Sequence, residues 1–232
     1  MQREERLLPA LQESVPFAVP HPRWVGEFEG RRYMGYERVP GHAYVSGDDA
    51  PSIGAAIRAL HAFPAGTAAH LLDADPTIAG WLDSYKELRA TSDACVAPLL
   101  DSDVADALDV AFDRFFADDW DAVTPVLVHR DLGAEHLLMD RTTRALIGMI
   151  DFGDATVGDA AIDFVGVDLT GGSAATRAAI NAYLDPVSQA RVRFYEQLGP
   201  VHAVVYGQEI GDEQLIVDAI ANLRTRLLGQ TC

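Results

Sequence analysis

A chain of 232 residues, 49% of them hydrophobic and 23% charged, carries enough apolar material for one sizeable core or two small lobes, which excludes a disordered chain. Its formal net charge of −17 argues against nucleic acid as a partner, because duplex binding requires a basic footprint that displaces counterions. A cationic ligand suits such a surface, although acidity also serves solubility alone. No apolar run reaches the roughly 18 residues of a membrane span, and the charged start, Met1 to Arg6, has no apolar segment behind it. Cys95 and Cys232 stand far apart without metal-type spacing. A cytoplasmic protein with two free thiols and no membrane association is expected.

In chain order, apolar residues at helical intervals predict a short helix over Glu4–Leu11, and Pro16, Pro20 and Pro22 then force an extended connection. Arg23–Glu29 and Arg31–Val39 read as two antiparallel strands, since Glu29-Gly30 suits a tight hairpin turn. Pro40-Gly41 ends the second strand, and Pro51–Phe63 is an amphipathic helix with Ile53, Ile57, Leu60 and His61 near one face. From Pro76 to about Ala117 the pattern is helical, with Trp81, Tyr85 and Leu88 at steps of three and four and a second run over Asp103–Phe116. Val126–His129, His136–Met139 and Ala145–Ile150 are short apolar runs with polar connectors, as expected of short strands. Helices return over 160–169, 173–184, 186–206 and 212–228, with no internal repeat or low-complexity linker.

The strongest chemical signal is His129-Arg130-Asp131-Leu132-Gly133-Ala134-Glu135-His136, followed by Ile150-Asp151-Phe152-Gly153-Asp154. Both segments begin after strand-like runs, so one carboxylate lies on a loop between strands and another just beyond the next hairpin. Such a pair can converge on one cleft. Phosphoryl transfer needs one carboxylate to orient and deprotonate the acceptor hydroxyl and another to hold magnesium against the phosphates.

These two segments resemble the catalytic and metal-binding loops shared by protein kinases and the aminoglycoside and macrolide phosphotransferases. The resemblance implies an α+β, protein-kinase-like fold: a truncated N-terminal lobe at 1–40 (helix, β-hairpin and hinge) and a mostly helical C-terminal lobe at 41–232. Asp131 then corresponds to the catalytic base, Asp151 to the metal-chelating carboxylate, and His136 to a weaker or water-mediated metal ligand, where protein kinases carry Asn. His129 organises the loop from inside. Gly158-Asp159-Ala160-Ala161-Ile162-Asp163-Phe164 resembles a stretch in the antibiotic kinases whose last Asp braces the catalytic loop, a role that falls to Asp163, with Asp154 as a secondary support. The backbone of Tyr36, Glu37, Arg38 and Val39 would face the nucleotide base, and the helix ending Leu60-His61 resembles the one after the hinge, with His61 a packed structural residue.

The family's Gly-rich hairpin and Lys-bearing strand are not found, and the only lysine is Lys86. Glu4, or its neighbour Glu5, stands where the family's Lys-pairing carboxylate would be. The hairpin of residues 23–39 would then keep an unpaired edge, a route to a homodimer. The function implied is transfer of the γ-phosphate of ATP or GTP, with Mg2+, to a hydroxyl of an antibiotic-like acceptor. A cationic aminoglycoside is favoured by the acidic balance, with Asp168, Glu196, Glu209, Asp212 and Glu213 as candidate acceptor contacts. The alternative is a catalytically silent kinase-like protein that binds a cationic small molecule or a protein partner.

Overall fold

A computed structural model describes residues 2–229. Residue contacts divide the chain into two compact units, one formed by Met1–Ile78 with Thr124–Val187 and the other by Ala79–Val123 with Ser188–Cys232. The first contains residues 1–40 together with both loop motifs. Cys95 is a free thiol, and Cys232 lies outside the described residues.

The first unit opens with α1 (Gln2–Gln12), whose Leu7, Leu8 and Leu11 are fully buried, spaced for one helical face. Strands β1 (Pro22–Phe28) and β2 (Arg31–Tyr36) form an antiparallel hairpin in which Phe28 stands opposite Arg31. Its turn residues Glu29 and Gly30 both take positive φ, 49° and 74°, the geometry that matches the twist of a two-residue hairpin. The ladder stops at Tyr36, so residues 37–39 fall outside the strand. Next come β3 (His42–Ala43) and α2 (Ala50–His61), whose Ile53, Ile57, Leu60 and His61 are buried at steps of three and four.

Helix α3 (Ala65–Leu72) was not expected from the sequence. It is short and weakly patterned, and its Ala68, Ala69 and Leu72 are held by burial rather than by propensity. After the second unit's first segment, β4 (Val126–Val128), β5 (Leu137–Met139), β6 (Leu146–Met149) and β7 (Thr156–Gly158) follow. β3, β5 and β6 make one antiparallel sheet and β4 pairs with β7, whose three residues carried no separate signal. α6 (Val165–Tyr183) is broken at Gly172, φ 71° and ψ 178°, which corresponds to the gap between the expected helices at 160–169 and 173–184.

The second unit holds most of α4 (Ile78–Cys95), then α5 (Ser102–Phe116), α7 (Gln189–Ile210) and α8 (Glu213–Leu228). Its core is aromatic. Phe115 stacks on Phe194 at 3.9 Å between ring centres, Tyr85 touches both, and Trp81 Nε1 donates to the Tyr195 hydroxyl at 3.0 Å. Gly211, at φ 71°, closes α7, and the Asp212 carboxylate caps α8 by accepting from Leu215 N at 3.0 Å. Among the described residues no helix is long and apolar enough to cross a membrane.

Candidate active site

β4 delivers the chain into a reversal: His129 is fully buried, Arg130 takes φ 71°, and Asp131 emerges with a side chain 61% exposed. A left-handed turn at a non-glycine residue costs of order 1–2 kcal/mol and persists only where its surroundings fix it. Asp163 supplies that fixing. Its Oδ2 accepts from His129 N at 2.8 Å and its Oδ1 from Arg130 N at 2.8 Å, so one fully buried carboxylate clamps both peptides of the reversal. The same Oδ2 lies 3.0 Å from His61 Nε2, and His61 Nδ1 lies 2.9 Å from the Tyr183 hydroxyl. Burial pushes the Tyr183 phenol up, and the Asp185 and Asp163 carboxylates push it further, so it keeps its proton and donates to Nδ1. His61 Nε2 then carries the proton that Asp163 accepts.

A second link sets the spacing of the two loops. Ile150 C=O accepts from His129 Nε2 at 2.9 Å and Ile150 N–H donates to His136 O at 3.1 Å, so the residue before Asp151 is held to both ends of the first motif. Because a carbonyl only accepts, Nε2 is the protonated nitrogen of a neutral His129, and its Nδ1 is buried with no hydrogen-bond partner among the described residues. Burial pushes the His129 pKa down, against a smaller opposing pull from Asp163. Phe152, fully buried, packs its ring 4.6 Å from the His129 ring.

Asp151 also adopts left-handed backbone, φ 68° and ψ 62°, and its carboxylate is 63% exposed. His136 stands between the two acids. Its Nδ1 donates to Asp131 C=O at 2.6 Å and lies 3.8 Å from Asp131 Oδ2, while Nε2 lies 3.6 Å from Asp151 Oδ2. With Nδ1 committed as donor, a neutral ring leaves its Nε2 lone pair on the Asp151 side. A metal-binding imidazole has this arrangement, with the other ring N–H held by a backbone carbonyl.

Tyr36 faces the group from the hairpin: burial pushes its phenol up, and the nearby carboxylates of Glu4 and Asp151 push it further. α1, which carries Glu4, packs against the turn at Phe152–Asp154. Glu5 is turned to Arg32, paired at 2.7 Å. Beyond β2, Glu37 meets Arg23 at 3.4 Å, Arg38 is exposed, and a Cβ on Gly148 would lie 2.8 Å from Val39 Cγ1. Asp154 is exposed and has no hydrogen bond or ion pair among the described residues, so it gives the loop no bracing contact. Of the candidate acceptor contacts, Asp168 accepts from Thr176 Oγ1 at 2.6 Å and Asp212 is the α8 cap.

Two contributors escaped the sequence. Gly166, in the first turn of α6, faces the segment after Asp131 so closely that a Cβ there would lie 2.0 Å from Leu132 O. Asp48, buried, accepts from His42 Nε2 at 3.2 Å and Val45 N at 2.9 Å and pairs with Arg144; beside it Tyr44 N donates to Ala134 O and Leu137 O, both at 2.9 Å. That cluster supports the turn bearing His136 from behind. A glycine three residues after Asp163 was the one visible hint of the first.

Residues 1–203 match the family model described as APH, phosphotransferase enzyme family. Among solved structures, the GDP and kanamycin complex of APH(2")-IIia superposes with a TM-score of 0.87 at 24% identity, covering 99% of this chain and 82% of that one. The GDP complex of wild-type aminoglycoside 2'-phosphotransferase-IIIa gives 0.86 at 24% identity over 98% and 81% of the two chains. The macrolide 2'-phosphotransferase MphH from Brachybacterium faecium, an apoenzyme, gives 0.76 at 24% identity over 96% and 79%. No curated protein matches the chain significantly. The fold is therefore α+β and protein-kinase-like, of the kind found in antibiotic phosphotransferases.

Proposed function

The chain belongs to the phosphotransferase enzyme family, and from that premise we propose that it transfers the γ-phosphate of ATP or GTP to a hydroxyl of an antibiotic-like acceptor in the cytoplasm. The observation that supports this reading is His136 lying between the carboxylates of Asp131 and Asp151, 3.8 and 3.6 Å from them. In this reading Asp131 accepts the proton of the acceptor hydroxyl as its oxygen bonds to the γ-phosphorus and the bond from that phosphorus to the bridging oxygen breaks, releasing the nucleoside diphosphate. The clamp from Asp163 fixes the His129–Arg130 backbone from which Asp131 emerges, so that the loop need not reorganise during reaction.

Magnesium fits the donor set. It keeps several waters and takes only one or two carboxylates beside the phosphates, so the exposed Asp151 and the His136 Nε2 beside it suffice as protein contacts; among the described residues no three acidic, His or Cys groups form a closed cage. The ion would be held by Asp151, with His136 as a weaker or water-mediated ligand, and when bound supplies neutralisation of phosphate charge. The backbone of Tyr36, Glu37, Arg38 and Val39 would face the nucleotide base, with Glu4, whose charge acts on Tyr36, at the position of the family's Lys-pairing carboxylate.

For the acceptor we infer an aminoglycoside. The net charge of −17 favours a ligand with several ammonium groups over a neutral macrolide. A second reading, a silent kinase-like binder of a cationic small molecule, is favoured by Lys86: it is the chain's only lysine, and it pairs with Asp83 at 2.7 Å on α4. The deciding experiment is transfer of labelled γ-phosphate from magnesium ATP and GTP to a panel of aminoglycosides and macrolides, alongside thermal-shift titrations with the same compounds. Phosphorylated aminoglycoside supports the first reading. A thermal shift with aminoglycoside, none with nucleotide, and no transfer replaces it with the second.

A further inference from the structure

A cavity of about 640 Å³ opens in the second unit between α5, α7 and α8. Its lining residues all belong to that unit, whereas both loop motifs belong to the first. One wall is apolar by helical spacing: Ala107, Ala111 and Phe115 recur every fourth residue on α5, with Val110 beside them, and Phe194 of α7 and Leu227 of α8 complete it. A volume of this size suits a small organic molecule.

Charge sets this cavity apart from the rest of its unit. Acidic residues outnumber cationic ones there, and nearly every cation is engaged. Lys86 pairs with Asp83, Arg89 with Asp113, Arg191 with Asp118 and Arg224 with Asp101, while Arg226 donates to Glu196 C=O. Arg114 and Arg193 are left, with no ion pair or hydrogen bond among the described residues, and both line the cavity. Each directly precedes one ring of the Phe115–Phe194 pair, stacked at 3.9 Å between centres, so the chain brings both to the same end. The cavity's own acids do not answer them. Asp118 is held by Arg191 at 2.8 Å, and Asp106 stands two turns of α5 before Arg114, roughly 12 Å along the axis.

We propose that this cavity binds an apolar organic anion, a carboxylate or sulfonate on an aromatic or alkyl body. Arg114 and Arg193 pair with the head group, for which a guanidinium offers a planar fork of donors, and the wall of α5 and α7 covers the body. A ligand of this sign is the opposite of the cationic acceptor proposed above, so the inference does not rest on that reading.

Fluorescence titration of the full chain with anilinonaphthalene sulfonate tests this, with phenylnaphthylamine as the same ring system without the charge. Saturable binding of the sulfonate is expected, at least about tenfold tighter than that of the amine. Arg114→Glu and Arg193→Glu should each weaken it about tenfold or more. Arg141→Glu, an equal change of net charge in the exposed turn between β5 and β6, should leave it within about twofold. Both cavity arginines are exposed, so their variants should melt with the parent, which separates lost binding from lost folding. An absence of saturable binding overturns the proposal. So does a sulfonate that the neutral amine matches, that magnesium ATP displaces, or that neither cavity reversal weakens.

Discussion

His61 Nε2 lies 3.0 Å from Asp163 Oδ2, although 102 residues separate them, and both side chains are buried. One helix thereby holds the carboxylate that clamps the His129–Arg130 reversal. Asp163→Ala would strand two backbone N–H groups and one imidazole in the interior. Removing one partner of a buried pair costs about 3 to 5 kcal/mol, so urea unfolding of Asp163→Ala should show a loss of that size. Asn is no rescue, because its amide N–H2 would face a donor. An unchanged unfolding midpoint would remove Asp163 from the role of brace.

Asp131 and Asp151 present the opposite case. Both carboxylates are more than half exposed, so Asp131→Asn and Asp151→Asn should change stability by no more than about 0.5 kcal/mol. Asp131→Asn should lower the turnover of phosphate transfer by about 100-fold or more with nucleotide affinity kept. Asp151→Asn should instead weaken binding of magnesium nucleotide, and His136→Ala should weaken it by about 10- to 100-fold. Calorimetric titration of nucleotide across a magnesium series separates the two acids. Equal losses of affinity in Asp131→Asn and Asp151→Asn would contradict the division of labour.

The parts of this protein that could be read without coordinates are those where chemistry leaves a side-chain trace. The His129–His136 and Asp151–Asp154 segments, Asp163 and His61 carry such traces, and so does the Glu29-Gly30 turn, because its backbone angles restrict residue choice. α3 was invisible because its eight residues include glycine, threonine and small alanines whose place is set by tertiary burial. The grip on Ile150 was equally invisible, since backbone groups have the same donors and acceptors at every position. The same reason hides the nucleotide-facing role proposed for residues 37–39. The break at Gly172 was legible, whereas the extension of α7 to Ile210 was not, because Gly207, Gln208 and Glu209 interrupt the apolar periodicity after Tyr206 although the helix runs on to the left-handed Gly211.

The buried, neutral His129 predicts a pH dependence with a definite sign. Burial depresses its folded-state pKa below the ordinary value of about 6.5. Above that value both states are neutral and the residue contributes no slope. As pH falls below it the unfolded chain takes up the proton and the folded chain does not, so stability is lost at up to about 1.4 kcal/mol per pH unit until the folded value is reached. Denaturant titrations from pH 7.5 down to 5.5, roughly a unit either side of the ordinary value, should show the decline. His129→Gln, which keeps a donor for Ile150 C=O, should flatten it. An identical slope in that variant would assign the pH dependence to other groups.

Gly166 and Gly54 provide a controlled comparison between damage to the fold and damage to the loop that carries Asp131. Each allows a backbone to approach where no side chain fits: a Cβ on Gly166 would lie 2.0 Å from Leu132 O, and one on Gly54 would lie 1.9 Å from Ala179 O. Forcing a methyl into either contact costs about 1 to 3 kcal/mol, because the obstructing atom is backbone and cannot swing aside. At Gly54 the strain falls between α2 and α6. At Gly166 it falls on the Leu132–Gly133 peptide, one residue beyond Asp131, and a displacement of about 1 Å at a reacting group can cost 100-fold in rate. Both Gly54→Ala and Gly166→Ala should therefore lower the melting temperature similarly. Only Gly166→Ala should lose phosphate transfer by about 100-fold per folded molecule at a temperature well below its melt. If activity falls in step with stability in both variants, the contact between α6 and Leu132 supports the fold without positioning the loop.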